Sequence, residues 1–498
     1  MYLSQLLHRH HQCRPEKTAV VCNGRRLSYG ELHVRVARRA GALKAAGVGH
    51  GDRVALLSQH SIETVEWMFA CWWLGAVFSP QNVRWSAPEI VDALLDSEPT
   101  VLLHDDLHET LAQTVASRAS GIPTLPMDTP VDVAAVDDAR AGGQDLAALI
   151  YTGGTTGRSK GVMLTHAALG TAALGRLAEL PPLGDSVALL TTPNFHVASL
   201  IRAITHWIAG STLVILPQFR AAAALDVIER EGVTDVPFVP TMLQMVLDDP
   251  AFHPERMRSV RRLSYGAAPS AQALLQRAQA ALPWAGLYQY YGMTESCGAA
   301  TASLPDDHDA QAWNTGRARS AGRASAVVEL RICDEGGRDL PVGQVGEIVL
   351  RGPLVAAGYW RRPEETARTF SGGWLRTGDA GRVDQDGYLY VVDRIKDMIV
   401  SGGENVYSAE VENALTRHPA VSMAAVIGVP HERWGEAVHA IVVLQHGMTA
   451  DEAALRAHCR ELLADYKVPK CVAFSDELPL TAAGKVAKNI LRERYGKP

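Results

Sequence analysis

A run of glycines, hydroxyl side chains and one lysine near position 155 has the composition of a phosphate-binding loop. The run is YTGGTTGRSKG, residues 151–161; three threonines and a serine in it, Thr152, Thr155, Thr156 and Ser159, are hydroxyl donors, and Lys160 is the lysine. Glycines let backbone N–H groups close around phosphate oxygens, and the lysine adds positive charge. The P-loop pattern GxxxxGK[ST] does not fit, because Ser159 and Gly161 stand where it requires glycine and a hydroxyl residue. We therefore predict a polyphosphate cradle between a strand and a helix; a flexible glycine turn is the alternative.

A second group of chemically capable residues lies in YYGMTES, residues 290–296. Aromatic faces suit a nucleobase, and Thr294 with Glu295 suits phosphate and Mg²⁺. A buried tyrosine pair beside a surface glutamate would give the same string. The combination with the glycine-rich loop is what favours a nucleotide site.

The composition is that of a soluble globular protein of several domains. The 498 residues are 47% hydrophobic and 20% charged, and at about 150 residues per domain they suggest two to four domains or sub-domains. A net charge of -6 disfavours nucleic acid or an anionic membrane as the main partner. Seven cysteines without a CxxC pair argue against a disulfide framework, and the start of the chain lacks the apolar run of a secretory signal. We expect a cytoplasmic protein, with the apolar run 67–78 forming a buried helix.

The elements that must position these residues alternate between strand-like and helical patterns. Asn23 and Gly24 predict a hairpin turn, and Ser28 with Glu31 predicts a capped helix ending at Gly47. Apolar runs at 54–58, 100–104, 148–152, 211–217 and 234–240 predict strands of an α/β fold with largely parallel sheets. From about Gly322 short strands indicate a β sub-domain, and a compact α+β segment follows Arg394.

Six motifs in order resemble those of the acyl-CoA synthetases in the adenylate-forming superfamily, which also includes luciferases and peptide-synthetase adenylation domains. They are the loop at 151–161, SYGAAP at 264–269, YGMTE at 291–295, GWLRTGD at 373–379, VVDRIKDMIVSGGENV at 391–406 and PLTAAGKVAK at 479–488. The resemblance implies an α/β fold in which a large domain, residues 1–395, binds ATP and the acid. A small mobile α+β domain, residues 396–498, would carry the catalytic lysine.

The resemblance also implies roles for single residues. The implied catalytic residues are Lys485, Thr294, Glu295 and His196, with Glu295 as the Mg²⁺ ligand and His196 as a gate beside the acyl tunnel. The implied ATP-binding residues are Thr152, Thr155, Thr156, Lys160, Gly266, Ala267, Ala268, Tyr291, Asp379 and Arg394. Within that set, Tyr291 would stack on adenine, while Asp379 and Arg394 would meet the ribose. Gly402, Gly403 and Glu404 would meet the pantetheine of CoA, and Lys396 would be the hinge.

Taken singly, several of these residues have an ordinary structural explanation. Asp379 could be a turn residue, His196 a core histidine and Lys485 a solvated surface lysine. Gly402 and Gly403 could form a simple turn. The resemblance places Lys485 between the substrate carboxylate and the α-phosphate. Two anions 4 Å apart repel by about 4 kcal/mol at an effective dielectric constant near 20, and an ammonium in that position would offset the repulsion.

The resemblance implies two half-reactions. A carboxylate and Mg-ATP give acyl-AMP and pyrophosphate, and the CoA thiol then gives acyl-CoA and AMP. The alternatives are a ligase that loads an acyl carrier protein, and a non-catalytic nucleotide-binding homologue. A homodimer is a possible assembly.

The acid itself is expected to be hydrophobic, either fatty or aryl. The candidate pocket walls, 196–202, 238–242, 265–268 and 288–292, are mostly apolar or aromatic. His196 stands where amino-acid-activating relatives carry an aspartate, and Tyr290 stands where malonate-type relatives carry an arginine. Arg202 could pair with a second carboxylate of the acid, or could be salt-bridged within the protein.

Overall fold

The computed structural model describes residues 1–129, 133–152, 159–180, 185–268, 270–480 and 486–496. Its first third alternates helices with short strands. In chain order these are α1 Gln5–Cys13, β1 Thr18–Cys22, β2 Arg25–Ser28, α2 Tyr29–Ala45, β3 Arg53–Leu57, α3 Ile62–Leu74, β4 Val77–Pro80, α4 Ala87–Ser97, β5 Val101–His104, α5 Glu109–Arg118, β6 Thr124–Pro126, β7 Leu146–Thr152, β8 Lys160–Thr165 and α6 His166–Glu179.

The middle third continues the same alternation. Its elements are β9 Val187–Leu190, α7 Val197–Ala209, β10 Thr212–Ile215, α8 Ala221–Glu231, β11 Asp235–Pro237, α9 Pro240–Asp248, β12 Arg262–Gly266, α10 Gln272–Ala281, β13 Gly286–Tyr291, β14 Thr301–Ser303, α11 Ala310–Thr315 and β15 Arg323–Ala324. A short 3-10 helix, Thr294–Ser296, follows β13.

The last third is richer in strands. It contains β16 Glu329–Cys333, β17 Gly346–Arg351, α12 Pro363–Thr369, β18 Phe370–Ser371, β19 Trp374–Val383, β20 Leu389–Arg394, β21 Ile399–Ser401, β22 Glu404–Val406, α13 Ser408–Thr416, β23 Val421–His431, β24 Gly435–Leu444, α14 Glu452–Leu462, β25 Cys471–Phe474 and α15 Lys488–Tyr495. A 3-10 turn, Ile395–Asp397, links β20 to β21.

The strands assemble into four sheets over the described ranges. Two of them are mainly parallel, with the orders β15-β14-β13-β12-β11-β9-β10-β1-β2 and β6-β5-β3-β4-β7-β8. The β sub-domain has the order β16-β17-β19-β18 with β20 on β19, and the small C-terminal sheet has β22-β21-β24-β23 with β25 on β24. The fold class is therefore the predicted one: layered α/β sub-domains, a β sub-domain and a smaller α+β domain.

The main core lies where helices pack on the first two sheets. Trp67, Phe69 and Trp72 of α3 and Trp207 of α7 are almost fully buried there. Burying a side chain of this size stabilises the fold by up to about 3 kcal/mol. This packing fixes α7 against the sheet whose strands carry the nucleotide motifs.

Two local predictions need correction. The glycine-rich loop is followed by strand β8 and only then by α6, because Val162 and Leu164 point into the core as a strand antiparallel to β7. The apolar run 67–78 is not one helix. Helix α3 ends at Leu74, Gly75 caps it with a φ of +72°, and β4 begins at Val77.

Two other local predictions are confirmed, namely the Asn23–Gly24 hairpin and the capping box of Ser28 and Glu31. Within the described residues no helix is long and apolar enough to cross a membrane, and all seven cysteines are free thiols.

Candidate active site

Tyr291, Asp379 and Arg394 come together from three different strands. Asp379 of β19 is paired in register with Arg394 at the end of β20, while Tyr291 ends β13 in another sheet. The Tyr291 hydroxyl donates to Asp379 Oδ2 at 2.7 Å, and Arg394 Nε donates to Oδ1 at 2.7 Å. Asp379 is only 5% exposed. The sequence predicted all three residues, and the structure brings them into direct contact.

The Tyr291 hydroxyl stays protonated in this arrangement. Burial and the negative charge of Asp379 raise the pKa of Tyr291 well above its usual value. Each carboxylate oxygen can accept two hydrogen bonds, so Asp379 retains acceptor capacity for further O–H donors. A pair of vicinal hydroxyls, as on a ribose, is a suitable ligand.

Glu295 is held in a second polar centre on the 3-10 helix after β13. It is 6% exposed, and its Oε1 accepts a hydrogen bond from the Tyr359 hydroxyl at 2.7 Å. Its backbone oxygen accepts from Ala356 N at 2.8 Å, which fixes this segment. Burial and Glu295 raise the pKa of Tyr359 above its usual value, so Tyr359 remains a donor. Oε2 has no hydrogen bond to any described residue.

Lys160 reaches the same centre from strand β8. Its Nζ lies 5.1 Å from the centroid of the Tyr359 ring and 3.9 Å from Glu365 Oε1. Trp360 N donates to Gly161 O at 2.8 Å, which ties β8 to the segment that carries Tyr359. The structure thus places the predicted phosphate-binding lysine and the predicted metal-binding glutamate around one tyrosine.

Tyr359 and Glu365 are site residues that the sequence analysis missed. They belong to AGYWRRPEET, residues 357–366, a run that mixes aromatic and acidic side chains as YYGMTES does. This similarity of composition is the sequence feature from which Tyr359 and Glu365 could have been predicted.

The predicted wall Gly266, Ala267 and Ala268 begins at the end of β12, beside Tyr290. Gly266 pairs with Tyr290 at a φ of +154°, and a Cβ on Gly266 would lie 2.3 Å from the Tyr290 carbonyl oxygen. Ala267 has a φ of +65°, which is uncommon for a residue with a Cβ and stores strain of the kind found at ligand sites. Only glycine allows this close approach at position 266.

His196 is the residue just before α7. Its ring lies 4.8 Å from that of Phe195. A Cβ on Gly298 would lie 3.2 Å from Val197, so the start of α7 packs beside the segment that follows Glu295. This position is consistent with a gate, and the role of His196 stays a prediction.

Arg202, the residue left open as a partner for a second carboxylate, is salt-bridged within the protein. Its Nη2 donates to Asp235 Oδ1 at 2.7 Å and its Nε to Leu189 O at 2.9 Å. It is 3% exposed. Arg202 therefore has a structural role, because Asp235 and Leu189 occupy its guanidinium in place of a second substrate carboxylate.

The predicted hinge lies in the 3-10 turn between the large domain and the small sheet. Lys396 is half-buried, and burial lowers its pKa. Asp393 accepts hydrogen bonds from the start of α13, including one of 2.7 Å from Ser408 Oγ, and Arg492 pairs with Asp397 at 2.8 Å. The chain is thus anchored just before Lys396, at Asp393, and just after it, at Asp397.

Gly402 and Gly403 form the two-residue turn of the β21–β22 hairpin, with φ values of +63° and +84°. Gly402 N donates to Trp434 O at 2.8 Å, and Glu404 is exposed. Gly402 and Gly403 therefore do form a turn, and their contact with pantetheine stays a prediction.

Thr152 ends β7 opposite Lys160 in register, so the two residues flank the glycine-rich loop. Thr155, Thr156 and Lys485 lie outside the described residues.

Two family models match the chain. Residues 7–360 match the model of the AMP-binding enzyme family, and residues 410–485 match that of the AMP-binding enzyme C-terminal domain.

Individual relatives are similar over almost their whole length. Feruloyl-CoA synthase of Amycolatopsis sp is 43% identical, over 97% of this chain and 96% of the relative. Fatty acid--[acyl-carrier-protein] ligase ScoC of Streptomyces coeruleorubidus is 38% identical, over 98% and 95%. The crystal structure of ATP-bound MatB from Rhodopseudomonas palustris superposes with a TM-score of 0.91 at 33% identity, covering 99% of both chains.

Proposed function

The chain belongs to the AMP-binding enzymes, and on that premise we propose that it is an ATP-dependent ligase that joins a hydrophobic carboxylic acid to the thiol of CoA. ATP, CoA and a small carboxylic acid are its substrates, and AMP and pyrophosphate are released. Similarity to feruloyl-CoA synthase along nearly the whole chain supports CoA as the acceptor.

The observation that carries the proposal is the contact of Tyr291, Asp379 and Arg394. A buried acceptor carboxylate, a protonated tyrosine and a half-exposed arginine suit a ribose next to an adenine ring. Glu295 and Lys160 form a second centre where the phosphates would bind. The first centre would bind the nucleoside end of ATP, and the second would bind its phosphates.

Mg²⁺ fits the second centre. A carboxylate oxygen is a ligand that Mg²⁺ prefers, and the ion usually takes one or two carboxylates together with substrate phosphates. Glu295 would hold the ion through Oε2, with the Thr294 hydroxyl on the α-phosphate. A bound ion would neutralise negative charge on the phosphate oxygens.

The first half-reaction needs charge neutralisation more than an acid or a base. A carboxylate oxygen of the substrate attacks the α-phosphorus, and the bond from that phosphorus to pyrophosphate breaks. Lys160, Thr152 and the glycine-rich loop with Thr155 and Thr156 would bind the phosphates, while Lys485 would bridge the two anions. In the second half-reaction the thiol attacks the acyl carbon, and AMP leaves.

The second step requires a different arrangement of the small domain. We place the pivot at Lys396, so that Lys485 withdraws and the hairpin of Gly402, Gly403 and Glu404 approaches pantetheine. On this view the large domain comprises residues 1–395 and the mobile domain residues 396–498. The homodimer and the cytoplasmic location expected from the sequence stay predictions.

The first experiment is to measure AMP and pyrophosphate release from the purified protein with Mg-ATP. The panel contains fatty, aryl and short dicarboxylic acids, each with and without CoA. CoA-dependent turnover with one class of acid is the expected result. No acid-dependent pyrophosphate release from any class would contradict the proposal.

An acyl-carrier-protein ligase is the second candidate, and the similarity to the ScoC ligase favours it. Such an enzyme would also release pyrophosphate with its acid. Free CoA would then fail to accelerate turnover, whereas a phosphopantetheinylated carrier protein would accelerate it. Comparing the two acceptors in the same assay separates the candidates.

A further inference from the structure

Arg176, on helix α6, is a buried arginine whose Nε has no hydrogen-bonding partner among the residues that the structure describes. The residue is 9% exposed, and its Nε is covered completely yet makes no hydrogen bond within the described ranges. No ion pair joins it to any described carboxylate. Burying a charged group without a hydrogen-bonded counter-charge is costly, so such groups are rare outside functional sites.

The guanidinium lies against the face of Tyr290, the residue immediately before the adenine-side Tyr291. The guanidinium carbon is 3.9 Å from the centroid of the Tyr290 ring. This stacking is a favourable cation–π contact, but it uses only the flat face of the guanidinium. The N–H donors point outward in the plane of the group, and the covered Nε–H has no acceptor among the described residues.

The carboxylate on the same face of the sheet does not bind Arg176. Asp235 is paired in register with Arg262, which pairs in turn with Gly286 of β13, the strand that carries Tyr290. Its Oδ1 accepts from Arg202 at 2.7 Å and its Oδ2 from Arg262 at 2.8 Å. Although burial opposes ionisation, Arg202 and the other cations around it lower the pKa of Asp235. This carboxylate is therefore ionised, and its two oxygens bind Arg202 and Arg262 rather than Arg176.

The cluster carries a surplus of positive charge. Arg202 and Arg262 bind the single carboxylate Asp235, and Arg176 lies near Arg202 and His206 as a third positive charge. His206 lies 3.6 Å from Asp235, but burial lowers its pKa to about 3, so it is neutral at pH 7. One anionic oxygen beside Arg176 would reduce this surplus from two charges to one, and a neutral acceptor oxygen there would at least give the buried Nε–H a hydrogen-bonding partner.

We infer that Arg176 binds an acceptor oxygen at the end of the substrate acid that is remote from its reacting carboxylate. This rests on the proposed function, which makes Tyr290 and the adjoining Gly266–Ala268 segment a wall of the acid pocket. The substrate class is then a hydrophobic acid with a distal carboxylate, phenol or carbonyl oxygen. An unsubstituted hydrocarbon chain would leave the guanidinium buried and unsatisfied.

Matched pairs of acids test this inference. Cinnamate is compared with 4-hydroxycinnamate and 4-carboxycinnamate, and octanoate with octanedioate, by pyrophosphate release from the wild type and from Arg176→Met. The wild type is expected to prefer the oxygen-bearing member of at least one pair by about tenfold or more in kcat/KM, and Arg176→Met is expected to lose that preference. Comparing 4-hydroxycinnamate with 4-carboxycinnamate identifies whether Arg176 binds a phenol oxygen or a carboxylate oxygen.

A second readout distinguishes substrate recognition from a structural role. Methionine fills a similar volume without a charge, so Arg176→Met is expected to melt at a temperature equal to or above that of the wild type. A structural arginine would instead give a clear drop in melting temperature. Leu174→Met, on the exposed side of the same helix, is the control and should keep the wild-type preference.

Failure of the inference and failure of the proposed function give different results. A wild type that turns over the unsubstituted acids as well as their oxygen-bearing partners, with the same ratios in Arg176→Met, overturns the inference alone. A wild type that releases no pyrophosphate with any acid overturns the proposed function, and the inference with it.

Discussion

At the scale of single residues, each carboxylate of the cleft is oriented by one tyrosine. Tyr291 donates to Asp379 and Tyr359 donates to Glu295, both at 2.7 Å. Raised pKa values keep both hydroxyls protonated through the neutral range, so neither bond is lost on mild alkalinisation. The carboxylates are thereby held in fixed directions, which would reduce the ordering required when the proposed ligand binds.

Asp379→Asn is expected to weaken ATP binding. An amide presents one acceptor oxygen in place of two and loses the ion pair with Arg394. A hydrogen bond to a charged group contributes about 1.5–3 kcal/mol, so we expect KM for ATP to rise about ten- to a hundredfold. Asp386→Asn, an exposed position in the turn of the same β19–β20 hairpin, is the matched control. An unchanged KM for ATP in Asp379→Asn would contradict the assigned role.

Tyr359→Phe tests the tyrosine beside Glu295 that the sequence analysis missed. The change removes only the hydroxyl that orients Glu295, so we expect about a tenfold or greater fall in acid-dependent pyrophosphate release and a higher Mg²⁺ requirement. Tyr390→Phe is the control, because its hydroxyl also donates to a carboxylate, Asp384 Oδ2, at 3.0 Å. Equal Mg²⁺ titration curves for the two variants would argue against a metal-binding role for Glu295.

At the scale of elements, the site depends on the ends of strands that belong to different sheets. Tyr291 ends β13 and Arg394 ends β20, while Thr152 and Lys160 flank the loop between β7 and β8. The helix start at α13 is tied to β20 by Asp393, whose Oδ2 accepts from Ser408 Oγ at 2.7 Å. This tie joins the predicted hinge to the first helix of the small domain.

Asp393→Ala is expected to loosen the hinge. Without the carboxylate, the start of α13 loses an acceptor comparable to a helix cap, whose removal costs about 1 kcal/mol. Limited trypsin digestion should then cut faster after Arg394 and Lys396, with N-terminal sequencing of the fragments as the readout. Asp465→Ala, at a largely exposed position of the small domain, should digest like the wild type. Identical cleavage rates for the two variants would show that Asp393 does not restrain the hinge.

The sequence predicted the strands well and the contacts between distant residues poorly. Apolar runs such as 54–58 and 100–104 became β3 and β5, because a buried parallel strand needs such a run. Strand β8 was missed because VMLT is too short to separate helix from strand by periodicity. The Arg202–Asp235 pair and the Tyr359–Glu295 bond join residues 33 and 64 positions apart, a relation that depends on tertiary packing alone.

At the scale of the whole molecule, one active site must serve two successive reactions. Adenylation needs a cation between two anions, whereas thiol attack needs that space for pantetheine. If Lys485 and the hairpin of Gly402 and Gly403 have the roles proposed for them in the mobile domain, a single rotation at Lys396 would exchange them. The two half-reactions should therefore respond separately to changes at the lysine and at the hinge.

Lys396→Pro is expected to separate the half-reactions. Proline fixes φ near -65° at the pivot, so the small domain should keep one orientation. If the adenylating arrangement is retained, acid-dependent exchange of pyrophosphate into ATP persists while acyl-CoA formation falls by about a hundredfold. Lys485→Ala should give the opposite pattern: it loses the exchange reaction but still transfers the acyl group from synthetic acyl-AMP to CoA. A Lys396→Pro enzyme that forms acyl-CoA at the wild-type rate would show that the domain does not pivot at this residue, and the two-state description of the molecule would then need another hinge.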